Sequence, residues 1–257
     1  MNSVHRYIED GESQLVRNLQ DMLRIGTVNP PGLDYRAMVE HLSVRCEGLG
    51  MRSKVHRVPD GEVRRIIGSS EYPRYNLIAR WDVGRERTVH FNAHYDVVPC
   101  SGQWKFGDPF EPGIAAGAVY GRGSGDMKGS IAALLMAVEA LQASGVEPGF
   151  NIECSFTADE ETGGELGAGW VVGQGLLNAD FAVVCEGAAG TQVGCGHNGV
   201  LWLEVELIGK AAHASRPDQG VNAFEALAGA VNKLQDYKRK LQAARRRFVD
   251  FDGQPRN

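Results

Sequence analysis

The stretch FNIECSFTADEETGG, residues 150–164, decides the fold. Its first nine residues form a short apolar run with the length and residue types of a strand. The run ends in three consecutive acids, Asp159, Glu160 and Glu161, followed by Gly163 and Gly164. The same plan recurs on either side. NAHYDVVP (92–99) closes a strand predicted at 87–93, and AVVCEGAAG (182–190) closes one at 180–185. Between these strands lie helical segments. Residues 130–143 are small, apolar and helix-forming, and begin directly after Asp126 in GRGSGDMKGS (121–130); a glycine-containing helix is expected near 164–177. Further out, Leu15, Val16, Leu19, Met22 and Leu23 recur at helical spacing over 13–25, and the Asn29-Pro30-Pro31-Gly32 break ends that helix. A second helix follows over 35–49, closed by Gly50, then strands at 52–58, 62–68 and 75–82. This alternation predicts an α/β fold with a largely parallel or mixed sheet. In such sheets ligands bind beyond the carboxyl ends of the strands, so one cleft is expected to gather the acidic motifs.

The character of the chain changes near 200. Residues 201–208, LWLEVELI, alternate like a strand, followed by GKAAHASRPDQGVN (209–222) and a long helix over 223–248. We take 1–199 as one domain and 200–257 as the start of a second, since a strand, a loop and a helix cannot bury their own apolar faces. With 257 residues, 43% of them hydrophobic, the chain holds enough apolar material for a core. A net charge of −5 argues against nucleic acid, and the basic residues Lys238–Lys240 and Arg245–Arg247 spread around several faces of a helix. The five cysteines, at 46, 100, 154, 185 and 195, show no CxxC pair and read as reduced thiols. No secretory leader and no membrane-length apolar run is visible, so a cytoplasmic protein with no membrane partner is expected.

Each motif has a chemical and a plain reading. His94 and Asp96 are two apart, so at a strand end both point to one side, and Asp96 can accept a hydrogen bond from the imidazole nitrogen left off a metal. H-x-D pairs are common without a site. Asp126 follows a glycine-rich turn and lies beside a helix start; a dinucleotide loop is excluded because G-x-G-x-x-G needs glycine where Asp126 stands. Neighbouring Glu160 and Glu161 face different ways and can divide labour, one binding metal and one moving a proton, although such acidic runs are usually solvated loops. Glu186 ends the apolar run FAVVCE, where a lone carboxylate is costly unless paired or metal-bound. Taken in order and together, these groups point to two divalent cations and an activated water.

The stretches NAHYDVVP, GRGSGDMKGS, TADEETGG, the strand ending in CEG, and GKAAHASRPDQGVNA resemble the M20 family of metallohydrolases. That family includes acetylornithine deacetylase, succinyl-diaminopimelate desuccinylase, aminoacylase and the glutamate carboxypeptidases. The resemblance implies a zinc-exopeptidase-like mixed sheet flanked by helices, followed by an α+β lid that dimerises. It implies that His94 and Glu186 hold one zinc, that Glu161 lies on the other, and that Asp126 bridges both, with cobalt or manganese as alternative metals. It further implies that Asp96 orients His94, that Glu160 is the general base, that the Asp126–Met127 peptide is cis, and that His213 reaches a partner subunit's active site to hold an oxyanion. The activity expected is hydrolysis of an amide in an N-acyl amino acid or small peptide, most like the deacetylase–desuccinylase branch, in a homodimer. An aminopeptidase or dipeptidase is the rival enzyme.

One departure stands beside the match. The family's final histidine, a ligand to the Glu161 metal, has no counterpart here, since His5, His41, His56, His90 and His197 lie in no matching context. The chain therefore reads as part of a longer product, and a non-catalytic remnant that binds a metal or a partner is the alternative from a different class.

Overall fold

The computed structural model describes residues 2–186, 193–194, 199 and 202–245, and the chain divides into two units, 1–194 and 195–257. In the first, strands β1 (Arg52–Arg57), β2 (Tyr75–Trp81), β3 (Thr88–His94), β6 (Asn151–Thr157) and β7 (Phe181–Val184) form one sheet. Its order is β1-β2-β6-β3-β7. β1 with β2 and β2 with β6 are antiparallel, while β3 runs parallel to both β6 and β7. The sheet is thus mixed. Strands β4 (Gly113–Ala115) and β5 (Ala118–Tyr120) make a separate hairpin.

Alternation along each strand sorts the sheet into two faces. Leu77 and Ala79 of β2, Ala93 of β3, and Ile152, Cys154 and Phe156 of β6 point to one side. There they meet the apolar stripes of α3 (Tyr35–Gly48) and α5 (Lys128–Ala143), with Met22 of α2 (Glu12–Leu23), in the main core. Helix α1 (Asn2–Asp10) precedes these and ties to α5 through the Tyr7 hydroxyl, 3.2 Å from Glu139. The opposite face is polar though buried. His90 bonds Glu153 and Ser155 at 2.9 Å each, and Asn92 donates to Ser155 and Thr157. His94 is the next residue on this face.

Three sequence expectations need correction. The strand expected at 62–68 is a helix, α4 (Asp60–Ile67). Its apolar residues Val63, Ile66 and Ile67 follow helical rather than strand spacing. Asp60 and Glu62 in the first turn and Arg64 and Arg65 in the last complement the helix dipole, and Gly68 closes it at φ 78°. The helix expected near 164–177 shrinks to α6 (Ala168–Gly173), because Glu160–Thr162 form a 3-10 turn and the chain spends 163–167 on reversing. Residues 202–209 form no strand, since no neighbouring strand pairs with them among the described residues; Leu201 lies outside those. In the second unit the described elements are a short turn at Pro217–Gln219, a bridge between Lys210 and Val221, and α7 (Ala223–Arg245). The expected end of that helix at Phe248 lies outside the described residues. No helix is long and apolar enough to cross a membrane among the described residues.

Candidate metal centre

The carboxyl ends of β3, β6 and β7 emerge at one edge of the sheet because these three strands run parallel. That edge carries His94 and Asp96, then Glu160 and Glu161, then Glu186. Asp126 arrives differently, in the turn that opens α5, and the Asp126–Met127 peptide bond is cis. Lys128 anchors that turn. Its buried side-chain nitrogen donates to the carbonyls of Met22 (3.1 Å) and Ile25 (2.7 Å) at and just past the end of α2, and burial lowers its pKa to about 7.

His94 is the hub, buried to 1% of its surface. Its Nδ1 faces Asp96, 3.0 Å from the backbone oxygen and 3.4 Å from a carboxylate oxygen. Its Nε2 faces outward, 3.0 Å from Asp126, 3.8 Å from Glu160 and 4.0 Å from Glu186. Two sets of donor atoms each gather within 4.8 Å: His94 with Asp126 and Glu161, and His94 with Glu160 and Glu186. Burial opposes protonation of His94, but the hydrogen bond to Asp96 and the charges of Asp96, Glu160 and Glu186 outweigh it and hold the imidazole up at about 9. Burial also raises Glu161, reinforced by Asp126, and Glu186, reinforced by Glu160. Mutual repulsion of this kind is what a divalent cation relieves, and an imidazole with carboxylate oxygens is a donor set that suits zinc, cobalt or manganese. Among the described residues no other histidine joins either set; His197 lies outside them, and both nitrogens of His90 are engaged by Glu153 and Ser155.

Beneath the hub lies a network that the motifs do not announce. The Asp96 carboxylate accepts the backbone N–H groups of Glu160 and Glu161, each at 3.2 Å, so it holds the acidic turn as well as facing the imidazole. Asp159 precedes that turn at φ 58°, a left-handed conformation that costs a non-glycine residue about 1–2 kcal/mol. Three groups grip its buried carboxylate: Arg74, whose Nε lies 2.7 and 2.8 Å from the two oxygens, the Tyr35 hydroxyl at 3.0 Å, and Asn29 Nδ2 at 3.1 Å. Burial still leaves Asp159 above the ordinary carboxylate range, with Arg74 and Tyr35 pulling against it. Gly32 sits against the Arg74 guanidinium at φ 104°, where a Cβ would collide with it. Of these residues, Asn29 and Gly32 read in the sequence only as a helix break, and Tyr35 and Arg74 carried no local signal.

His213 belongs to the second unit. It is exposed, and its Nδ1 accepts the backbone N–H of Ser215 at 3.2 Å with the Ser215 hydroxyl at 2.8 Å.

The model of peptidase family M20/M25/M40 matches residues 90–245. Succinyl-diaminopimelate desuccinylase 1 of Alteromonas mediterranea is 35% identical over 173 residues, covering 63% of this chain and 43% of that protein. Acetylornithine deacetylase of Pasteurella multocida is 31% identical over 208 residues, covering 80% and 50%. Among solved structures, a tripeptidase from Staphylococcus aureus shares the fold over 86% of this chain and 56% of its own, with a TM-score of 0.60 and 20% identity. The chain spans about half the length of the curated relatives it matches. Since the matched region runs from β3 to the end of α7 and takes in every acidic motif around His94, the chain belongs to peptidase family M20/M25/M40.

Proposed function

We propose that this protein is the metal-binding part of a divalent-metal-dependent amidohydrolase acting on an N-acyl amino acid. The observation that carries the reading is the hub: a buried imidazole whose Nδ1 is tied to Asp96 and whose Nε2 faces Asp126, Glu160 and Glu186 within 4.0 Å. In this reading His94, Asp126, Glu161 and Glu186 would hold the metal, with two zinc ions as the complement. Bound divalent cations supply the Lewis acidity that polarises an amide carbonyl and makes water a nucleophile near neutral pH.

The protein's own groups do the rest. Asp96 fixes the imidazole tautomer so that Nε2 offers its lone pair. Glu160, whose carboxylate is half exposed, accepts the proton of the attacking water and delivers it to the departing amine. The names of the deacetylase and desuccinylase relatives support an acylated amino acid over a free peptide. The same reading makes the second unit a dimerisation domain whose His213 reaches a partner subunit's active site. In support, α7 exposes Phe224, Leu227, Val231, Leu234, Tyr237 and Leu241, a seam at three- and four-residue spacing. The four described cysteines are free thiols, which suits a cytoplasmic enzyme.

The test is release of amine from a panel of N-acetyl and N-succinyl amino acids, with di- and tripeptides alongside, as zinc is added to chelator-treated protein. Zinc-dependent release that Glu160→Ala abolishes while still binding metal is the expected result. Unchanged activity in that variant sinks the base assignment, and cleavage of peptides alone replaces the deacylase reading with a peptidase. Metal binding without any hydrolysis would leave a non-catalytic metal-binding protein.

A further inference from the structure

We infer that Asn29 is a positioning residue for the metal centre, a neutral strut that locks the Asp159–Glu161 turn to Asp96; this rests on the reading of the centre given above. Three segments far apart in sequence meet at its side chain. Asn29 Nδ2 lies 2.9 Å from Asp96 Oδ2, 3.1 Å from Asp159 Oδ1 and 3.0 Å from Thr162 Oγ1. Two carboxylates and a hydroxyl therefore converge on the amide nitrogen of a residue only 1% exposed.

The surroundings settle which way the amide points. A flipped side chain would set its carbonyl oxygen against two carboxylates, so the nitrogen must face them. The other end of the amide shows the cost, because Asn29 Oδ1 is buried without a hydrogen-bond partner among the described residues. The amide nitrogen bridges Asp96 and Asp159, whose charges repel, and these contacts offset the unpaired acceptor.

Asn29 is itself held in place by the backbone. Its N–H donates to Val97 O at 2.8 Å, Val97 N–H donates to Thr27 O at 3.0 Å, and the Thr27 hydroxyl donates to Tyr95 O at 2.6 Å. Residues 27–29 thus run alongside 95–97 as a short parallel pairing, with the bridge at Val28 and Val97. A side chain mounted beside Asp96 reaches across to the turn after β6. The consequence is geometric. Asp96 accepts the amides of Glu160 and Glu161, so whatever fixes Asp96 against Asp159 fixes where both glutamate side chains start. Neither an acid nor an alkyl group can replace Asn29: an acid would add a third negative charge, and an alkyl group would leave the two carboxylates facing each other unbridged.

The test is metal binding by the full chain, read without catalysis. Zinc affinity is measured by competition with a chromophoric chelator, and cobalt is substituted to record the visible ligand-field bands. Asn29→Ala is expected to weaken zinc binding about tenfold or more, the scale of a lost charge-assisted hydrogen bond, and to change the shape of the cobalt bands. Thr162→Val, an exposed position that gives up only one of the three contacts, is expected to shift both readings in the same direction by a smaller factor. Val138→Ala, in the core of α5, lowers thermal stability and is expected to bind zinc like wild type. Wild-type binding and spectrum in Asn29→Ala would overturn the proposal and leave the metal centre standing, as would equal weakening in Val138→Ala. If Asn29→Ala does not fold, Thr162→Val decides alone, and an unchanged spectrum there overturns the strut. Failure of the wild-type chain to bind zinc or cobalt would overturn the reading of the centre itself, a different and separately visible result.

Discussion

Arg74 should be the most damaging surface-remote substitution in the first unit. It is exposed to 1%, and Asp159, which it grips through both oxygens, to 2%. The guanidinium also donates to Tyr72 O at 2.7 Å and lies 5.1 Å from the centre of the Tyr35 ring. Arg74→Met keeps much of the side-chain volume and removes the charge and the donors. Breaking one partner of a buried pair costs about 3–5 kcal/mol, because the remaining charge stays out of water without compensation. Asp159 is worse placed than most such survivors, since burial already raises its carboxyl with the arginine present. A domain of this size loses about 2–4 °C of melting temperature per kcal/mol, so a drop of about 6–20 °C is expected. Urea denaturation followed by tryptophan fluorescence reads the right unit, since Trp202 of the second unit is 90% exposed and changes little. Removing the orphaned charge with Asp159→Asn in the same chain should recover about 2 kcal/mol relative to the sum of the single losses, the coupling expected of a desolvated pair. A loss below about 1 kcal/mol in Arg74→Met, or strict additivity in the double variant, would refute the view that this pair holds the turn.

Three further outcomes follow from other parts of the structure. Burial works to raise the carboxyl of Glu153, but hydrogen bonds from His90 and Arg80 outweigh it and hold it below the ordinary range. A depressed carboxyl stabilises the fold above its unfolded-state value and loses that contribution as pH falls, so wild type should lose stability in acid more steeply than Glu153→Gln, as read by urea midpoints from neutral pH to about pH 3. Gly167 lets the chain return against β6: a Cβ there would overlap the carbonyl oxygen of Ala158, so Gly167→Ala should cost about 1–3 kcal/mol by thermal denaturation, and no loss would mean the 158–167 turn can shift freely. Zinc at one hundred times its dissociation constant should stabilise the folded chain by about 2.7 kcal/mol, or about 5–11 °C, and His94→Ala should abolish that shift in differential scanning fluorimetry.

The sequence discloses the groups that emerge from strand ends and hides those that hold them. His94, Glu160 and Glu161, and Glu186 each close an apolar run, and strands running parallel bring such ends to one edge, so the gathering around Nε2 follows from local pattern plus topology. Asn29, Tyr35 and Arg74 make contacts 67, 124 and 85 residues away along the chain, and no local periodicity encodes such distances. Misreadings had local causes too. Val63, Ile66 and Ile67 look β-prone by residue type, yet Val63 is fully buried against Val58 and Leu166 only because a helix presents it there. Residues 201–208 alternate like a strand in sequence, but alternation becomes a strand only when a neighbour supplies hydrogen bonds, and none does for 202–208 among the described residues.

These two classes of residue are physically linked. Asp126, Glu160, Glu161 and Glu186 converge on a single imidazole, and the raised Glu161 and Glu186 carboxyls record how strongly burial and crowding resist that arrangement. A surface loop under such strain would splay its acids into water. Here it does not, because the turn carrying Glu160 and Glu161 is fastened from below by backbone bonds to Asp96, and Asp96 and Asp159 are fastened in turn by Asn29, Tyr35 and Arg74. The scaffold is buried, so its hydrogen bonds are shielded from competition by water, whereas the donors it presents are half exposed and open to a cation and a substrate. The division has a consequence for variants. Substituting an outward carboxylate removes a proposed ligand and should relax the fold, whereas substituting the strut or the arginine should loosen both the fold and the geometry of the proposed ligands. Stability and metal affinity should therefore move in opposite directions at Glu161 or Glu186 and in the same direction at Asn29 or Arg74.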